Sequence, residues 1–241
     1  MDFDYKKLSH MFALLAVLFA FFLIIIYPAL SLMDAFPTVS VSEVEITESV
    51  LIFSSIITVM IFIITPLIWY LLVNGFNFKQ ILTAMKIKFE RIDEAFLWGV
   101  ISAIVMFLIV MALGYLLYYL GVDSENLSNI EDLAGNISIF SMVFIIVVQS
   151  ISEEIFFRGF LLEKIESFAG SIIAIFTTAV LFGLAHMAYG KVYPVIMPMM
   201  MGIILGYVVI RTKNLYAAII GHMLFNFAAF IFYLSSKSLG F

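Results

Sequence analysis

Six residues in otherwise apolar stretches carry groups that can do hydrolytic chemistry. They are Glu153, Glu154 and Arg158, then His186 one turn after Phe182, then His222 with Asn226. Ionisable groups are costly inside membrane-length apolar segments, and their presence there points to function. The chain has only three histidines, and two of them fall in these clusters. Glu154 and Arg158 are four residues apart and share a helix face. The guanidinium fork suits carboxylate oxygens, so this pair reads as structural, with Arg158 keeping Glu154 ionised and oriented. Glu153 points about 100° away around the helix. It is therefore placed to act separately, as a general base on water. His186 could hold that water or bind a metal. His222 and Asn226 are again four apart, and an imidazole and an amide are suitable donors to the oxyanion of amide hydrolysis. Each cluster also has a plainer reading: a buried ion pair that fixes packing, a hydrogen-bonded core histidine, and polar glue between helices. Three such clusters in one chain make the chemical reading stronger than any one does.

The elements that must position these groups are membrane helices. The chain of 241 residues is 64% hydrophobic and only 12% charged, against roughly 25% charged for ordinary globular chains. Its mean hydropathy is +1.17. The fold class is all-α, a polytopic helical bundle, because isolated strands cannot satisfy their backbone in lipid. A span needs about 20 apolar residues. Seven are expected, near Met11–Met33, Val50–Val73, Ala95–Leu120, from Ile137 onward, Ala169–Ala188, Pro194–Ile210 and Leu215–Leu234. The first is longer than a signal-peptide core and is read as a retained anchor. A single transmembrane domain over residues 1–241 is expected, with no separate soluble domain. The absence of cysteine excludes disulfides, thiolate zinc sites and a cysteine nucleophile.

Basic residues set the expected orientation. Lys6, Lys7, Lys79, Lys86, Lys88, Arg91, Lys164, Arg211 and Lys213 fall on one side, and Lys191 and Lys237 on the other. This bias predicts a cell-membrane protein with a cytoplasmic N-terminus and an external C-terminus. The opposite loops are acidic, with Asp34, Glu43, Glu45, Glu48, Asp123, Glu125, Glu131 and Asp132. The segment from Phe76 to Phe96 mixes charged and apolar residues and reads as interfacial. Gly202 and Gly206 read as a close-packing pair, Pro194 and Pro198 as the start or a kink of the sixth span, and Tyr189 and Tyr193 as interface aromatics.

Depth constrains the fourth helix. If it ended at Glu154, its acids would lie at the cytoplasmic surface, while His186 would sit roughly 24 Å above Gly170. If it runs through Arg158 to about Ser167, Glu153 lies roughly 20 Å from that end, and His222 and Asn226 roughly 10–17 Å above Leu215. A long fourth helix is therefore expected, bringing the three clusters together near mid-bilayer with access from the cytoplasm.

Three ordered motifs now stand on the page: Glu153-Glu154-Ile155-Phe156-Phe157-Arg158, Phe182-Gly183-Leu184-Ala185-His186, and His222-Met223-Leu224-Phe225-Asn226. They resemble the EExxxR, FxxxH and HxxxN signatures of the CAAX prenyl protease and bacteriocin-processing (CPBP, or Abi) family. The resemblance covers about Phe140–Phe230, and residues 140–230 are the expected catalytic core. It implies an intramembrane endopeptidase acting on a peptide or lipidated protein within the bilayer, with no nucleic-acid partner. On that resemblance Glu153 is the water-activating acid, Glu154 with Arg158 the supporting pair, and His186 the second water-holding or metal-binding group. His222 and Asn226 are oxyanion stabilisers or further ligands. The family is described both as metallopeptidase and as metal-free glutamate peptidase. Glu154, His186 and His222 would make a plausible zinc set, although no HExxH is present. Prenylated CAAX tails, leader peptides and bacteriocins all stand as candidate substrates. Two other classes remain open: a catalytically silent membrane partner or immunity protein, and a proton-coupled transporter using the same acids.

Overall fold

The structure, a computed structural model, describes residues 3–33, 47–121, 137–187 and 193–239. Among them all regular structure is helical. Helix α1 (Leu8–Leu32) contains a π-type stretch at Phe22–Ile26. Helix α2 is Glu48–Leu72, α3 the short Phe78–Ala84, and α4 Ile92–Tyr119. Helix α5 (Ile139–Ala169) is followed by α6 (Ser171–Leu184), α7 (Tyr193–Thr212) and α8 (Leu215–Leu239).

Six of these helices are long and apolar enough to span a bilayer. The fifth expected span is present as α6, but its 14 residues reach only about 21 Å, short of the roughly 30 Å hydrocarbon core. The fourth helix does run on past Arg158, as the depth argument requires. It is 31 residues long, and Lys164 lies on it rather than in a loop. Gly170 then reverses the chain in one residue at φ +81°, a conformation that glycine adopts without a Cβ penalty.

Capping chemistry fixes where helices begin. The Thr47 hydroxyl accepts from the Val50 amide at 3.4 Å to open α2. Asn77 and Gln80 form a reciprocal capping box at the start of α3, at 2.8 and 3.0 Å. The expected interfacial segment around Phe76–Phe96 is this helix plus a turn. Ile81 and Met85 are buried, while Phe78 and Phe89 are exposed. Asn214 is buried, and its amide donates to the carbonyls of Lys88 and Glu90 at 3.0 and 3.2 Å. The Leu215 amide donates to the Lys86 carbonyl at 2.9 Å. The first turn of α8 is thereby pinned to the segment before α4, which sets the height of His222 and Asn226 in the bundle.

Helix α5 is central and packs against α2, α6, α7 and α8, while α1 lies outermost against α2. Close approach is made by glycines. A Cβ on Gly99 of α4 would meet Ile220 of α8 at 2.8 Å, and one on Gly221 would run into the Ser102 hydroxyl. The residue after Gly221 is His222, so this crossing also positions the site. Gly202 packs as expected, since a Cβ there would meet Ala179 at 2.8 Å. Gly206 has ordinary clearance from Ile175, 3.5 Å. Pro198 lies inside α7. Several sequence expectations lie outside the described residues: Tyr189, Lys191, Asp34, Glu43, Glu45, Asp123, Glu125, Glu131, Asp132, and the side chains of Tyr193 and Lys237.

The two ends of the bundle differ. At one, Lys86 and Lys213 converge on Glu166 at 2.9 and 3.0 Å, so three of the predicted same-side basic segments do share an end. At the other, Ser138 donates through its hydroxyl to Glu48 at 2.7 Å, joining the N-termini of α2 and α5.

Candidate active site

The three motif clusters meet. The motif helix α5 is α-helical from Ile139 to Glu154, then makes seven residues of π-helix, Ile155–Leu161, before returning to α. Wider π turns are frequent at functional sites. Phe156, Phe157, Arg158, Gly159, Phe160 and Leu161 are all buried in this stretch. Phe156 and Phe157 pack on Phe62 of α2, at ring separations of 5.0 and 5.6 Å. Gly159 faces Met85 and Leu215 across a gap that a Cβ would close to 3.3–3.4 Å.

Glu154 is fully buried, and its Oε1 accepts two hydrogen bonds. One comes from Arg158 Nη1 at 2.7 Å and the other from His222 Nδ1 at 2.9 Å. The expected Glu154–Arg158 pair is therefore present and is joined by the histidine of the third motif. A carboxylate held by a guanidinium is an acceptor, so it fixes the proton on Nδ1 of His222 and turns Nε2 the other way. That Nε2 lies 3.9 Å from Glu153 Oε2. This is too long for a hydrogen bond, yet close enough for each group to feel the other's charge.

Phe182 is the packing hub. The Arg158 guanidinium lies over its ring at 4.3 Å, a cation–π contact. His186 and His222 both meet the ring edge-on, at 4.9 and 5.8 Å. Nδ1 of His186 is 2.8 Å from the Phe182 carbonyl. A carbonyl only accepts, so this nitrogen donates, and Nε2 carries the lone pair in the neutral ring. Asn226 donates from Nδ2 to the Ser150 hydroxyl at 3.2 Å, which fixes the amide beside α5. The third histidine, His10, is elsewhere: its Nδ1 accepts the Asp4 amide at 2.9 Å.

Glu153 and His186 line one cavity of about 420 Å³, together with Gln149, Ser55 and Phe157. Glu154, Arg158 and His222 lie behind it, with 0, 0 and 4% exposure. The two adjacent glutamates are thus divided as the helix geometry predicts, one toward open space and one into the packing. The expected access from the basic end is not what this cavity offers. It extends past Leu51, Ile137 and Pro28, toward the end bearing Glu48 and Ser138. The physical reason is the π stretch, whose buried aromatic side chains fill the space between the acids and the basic end.

Of the zinc set, Glu154 Oε1 is shared by Arg158 and His222. Nδ1 of His222 faces that carboxylate and Nδ1 of His186 faces a carbonyl, so a metal would be met through the two Nε2 atoms. Among the described residues no three His, Asp or Glu side chains gather as a metal-ligand group, and no step below is routed through a metal.

Sequence reasoning did not single out Gln149, Ser150 or Ser55. Ser150 holds Asn226, and Gln149 donates to Ser55 at 3.3 Å on the cavity wall. The available signal was the polar run Gln149-Ser150-Ile151-Ser152 directly before the acids in an apolar helix.

The fold and site define a multi-pass helical membrane protein with a buried carboxylate–guanidinium–imidazole group beside a cavity. Residues 135–228 match the sequence model of the Rce1-like family, described as type II CAAX prenyl endopeptidase Rce1-like. This is the same CAAX-protease family that the three motifs resemble, and the matched span takes in α5, α6, α7 and most of α8. The match supports an intramembrane protease acting on a peptide or protein in a membrane setting. No curated protein and no solved structure shows significant similarity to the chain.

Proposed function

We infer that the protein is an endopeptidase that hydrolyses a peptide bond inside the membrane, with water activated by Glu153. One observation carries this reading: Glu153 on α5 and His186 in the turn after α6 line one cavity, while Glu154 is spent on Arg158 and His222 behind it. Glu153 takes a proton from water as the oxygen attacks the scissile carbonyl, and returns it to the departing amine. His186, with its Nε2 lone pair, accepts the water's second hydrogen and aligns it. Asn226, through its second Nδ2 hydrogen, is the donor for the developing oxyanion, while His222 gives its Nδ1 hydrogen to Glu154. The Glu154–Arg158 pair holds His222 in one tautomer and one orientation. The substrate is a peptide or a lipidated protein tail, prenylated CAAX tails included. The protein sits in the cell membrane with the basic end cytoplasmic, a reading supported by the convergence of Lys86 and Lys213 on Glu166.

The test uses purified wild type and Glu153→Gln against a panel of internally quenched peptides, some carrying a prenylated cysteine, with metal content measured on the same samples. Cleavage by wild type and none by Glu153→Gln, both equally folded, is the expected result. A chelator-resistant activity without bound metal would assign the glutamate mechanism. One zinc per chain with chelator-sensitive cleavage would assign a metallopeptidase. No cleavage of any peptide by wild type would overturn the peptidase reading in favour of a silent membrane partner.

A further inference from the structure

The cavity wall carries a second polar device that the hydrolytic steps do not use. Gln149 lies on α5 one turn before Glu153, so both side chains share a face, and both line the cavity. Its Nε2 donates to the hydroxyl of Ser55 on α2 at 3.3 Å, and Ser55 is buried. The neighbouring hydroxyls on that wall are engaged with their own helix: Ser54 donates to the Leu51 carbonyl and Thr58 to the Ser54 carbonyl, each at 3.0 Å. Among the described residues lining the cavity, Gln149 is the one whose side chain carries both an N–H donor and a carbonyl acceptor in a single plane. Ser55 uses one of its two N–H hydrogens. A carboxamide presents the same pair of groups as a peptide bond and can match the C=O and N–H of an extended backbone.

We propose that Gln149, held by Ser55, anchors the backbone of the substrate about two residues from the scissile bond. This rests on the peptidase reading above and adds its mode of substrate recognition. The spacing follows from two rises. Four helix residues separate Gln149 from Glu153 by about 6 Å, and an extended peptide advances about 3.3 Å per residue. Gln149 lies on the side of Glu153 toward which the cavity extends, so the anchored residues lie between the scissile bond and the cavity's outer part. Recognition by a carboxamide reads backbone rather than side chains, so the enzyme requires an extended segment there and tolerates varied sequence. Ser55 acts through Gln149 as a positioning residue: fixing a long side chain beforehand removes an ordering cost that binding would otherwise carry.

A polar pair between membrane helices can also be simple packing glue, and the experiment separates the two roles. The probe is the internally quenched peptide that wild type cleaves best, with the full chain in detergent micelles. It is made also as a series in which each backbone amide near the scissile bond is replaced in turn by an ester. We expect Gln149→Leu to raise KM about tenfold with kcat within about twofold, the size of one hydrogen bond between unlike partners. Ser55→Ala should give a smaller rise in the same parameter. The ester two residues from the scissile bond should weaken wild type by a similar factor and leave Gln149→Leu unaffected. A packing role would lower the melting temperature and kcat and would not single out one ester. The inference is overturned if Gln149→Leu keeps the wild-type KM, or if every ester affects both proteins alike. If Gln149→Leu fails to fold, the ester series on wild type decides alone: no position-specific loss overturns the inference. Cleavage that needs Glu153 but ignores Gln149 leaves the peptidase reading standing and removes only this one. No cleavage by wild type removes both.

Discussion

The cavity-facing and the packed sides of the site contain similar groups put to opposite use. On the packed side, Glu154, Arg158 and His222 bond to one another and are closed off by Phe182. On the cavity side, Glu153 and Gln149 belong to the same helix as Glu154 and Arg158, and His186 follows α6, yet all three face open volume. The difference is one of rotation about a helix axis: a step of about 100° between Glu153 and Glu154 separates a group that builds the fold from one that can meet a substrate. In a bilayer the packed group cannot be loosely made, because an unpaired charge there has no water to turn to.

That contrast can be broken or sharpened by substitution. The largest effect is expected on the packed side. Arg158→Ala leaves the Glu154 carboxylate buried without its partner and should cost about 3–5 kcal/mol. In micelles this should appear as loss of a monodisperse elution peak and of the thermal transition, with cleavage lost as a consequence. Glu153→Gln should do the reverse: the thermal transition is kept, while cleavage of the panel peptide falls about 10²–10⁴-fold. Equal loss of stability in the two variants would erase the distinction between the sides. Asn226→Ala should lower kcat about 10²–10³-fold if its amide serves the oxyanion, measured as a change in kcat with little change in KM. The smallest effect is expected away from both sides. The Tyr70 hydroxyl donates to Glu163 at 3.0 Å and lies 3.3 Å from the Gly159 carbonyl. Tyr70→Phe should cost about 1 kcal/mol in stability and leave kcat unchanged.

Much of this arrangement was legible in the sequence, for reasons that differ by residue. Ionisable side chains in apolar stretches stand out because their burial is costly, so Glu153, Glu154, Arg158, His186 and His222 could be found, and Asn226 with them because it follows His222 by one helical turn. Depth arithmetic alone required α5 to continue past Arg158, and it does. Hydropathy does not encode where a helix stops, so α6 read as a full span through Ala188 when its regular helix ends at Leu184. Ser and Gln carry no charge and cost little in a membrane helix, so Ser55, Gln149 and Ser150 left only a faint signal. The π stretch left none, because its bonding is decided by how Phe156, Phe157 and Phe160 pack against α1, α2 and α6 rather than by local preference. The direction of the cavity followed from that packing and was equally invisible.

The π stretch at Ile155–Leu161 has a consequence for how this chain can vary. A π turn holds more residues than an α turn of the same length, so it behaves as an insertion stored within a continuous helix. Removing one residue after Arg158, at Phe160 for instance, would let α5 relax to regular α geometry, with the wide turn absorbing the loss. Glu163 and Glu166 would then keep their facing toward Tyr70 and Lys86. The same deletion in the regular part of α5 before Glu153 has no wide turn of its own to absorb it and would turn the helix on one side of it by about 100° against the other. This seven-residue stretch is therefore the place where the helix can change length without changing the direction its two ends face.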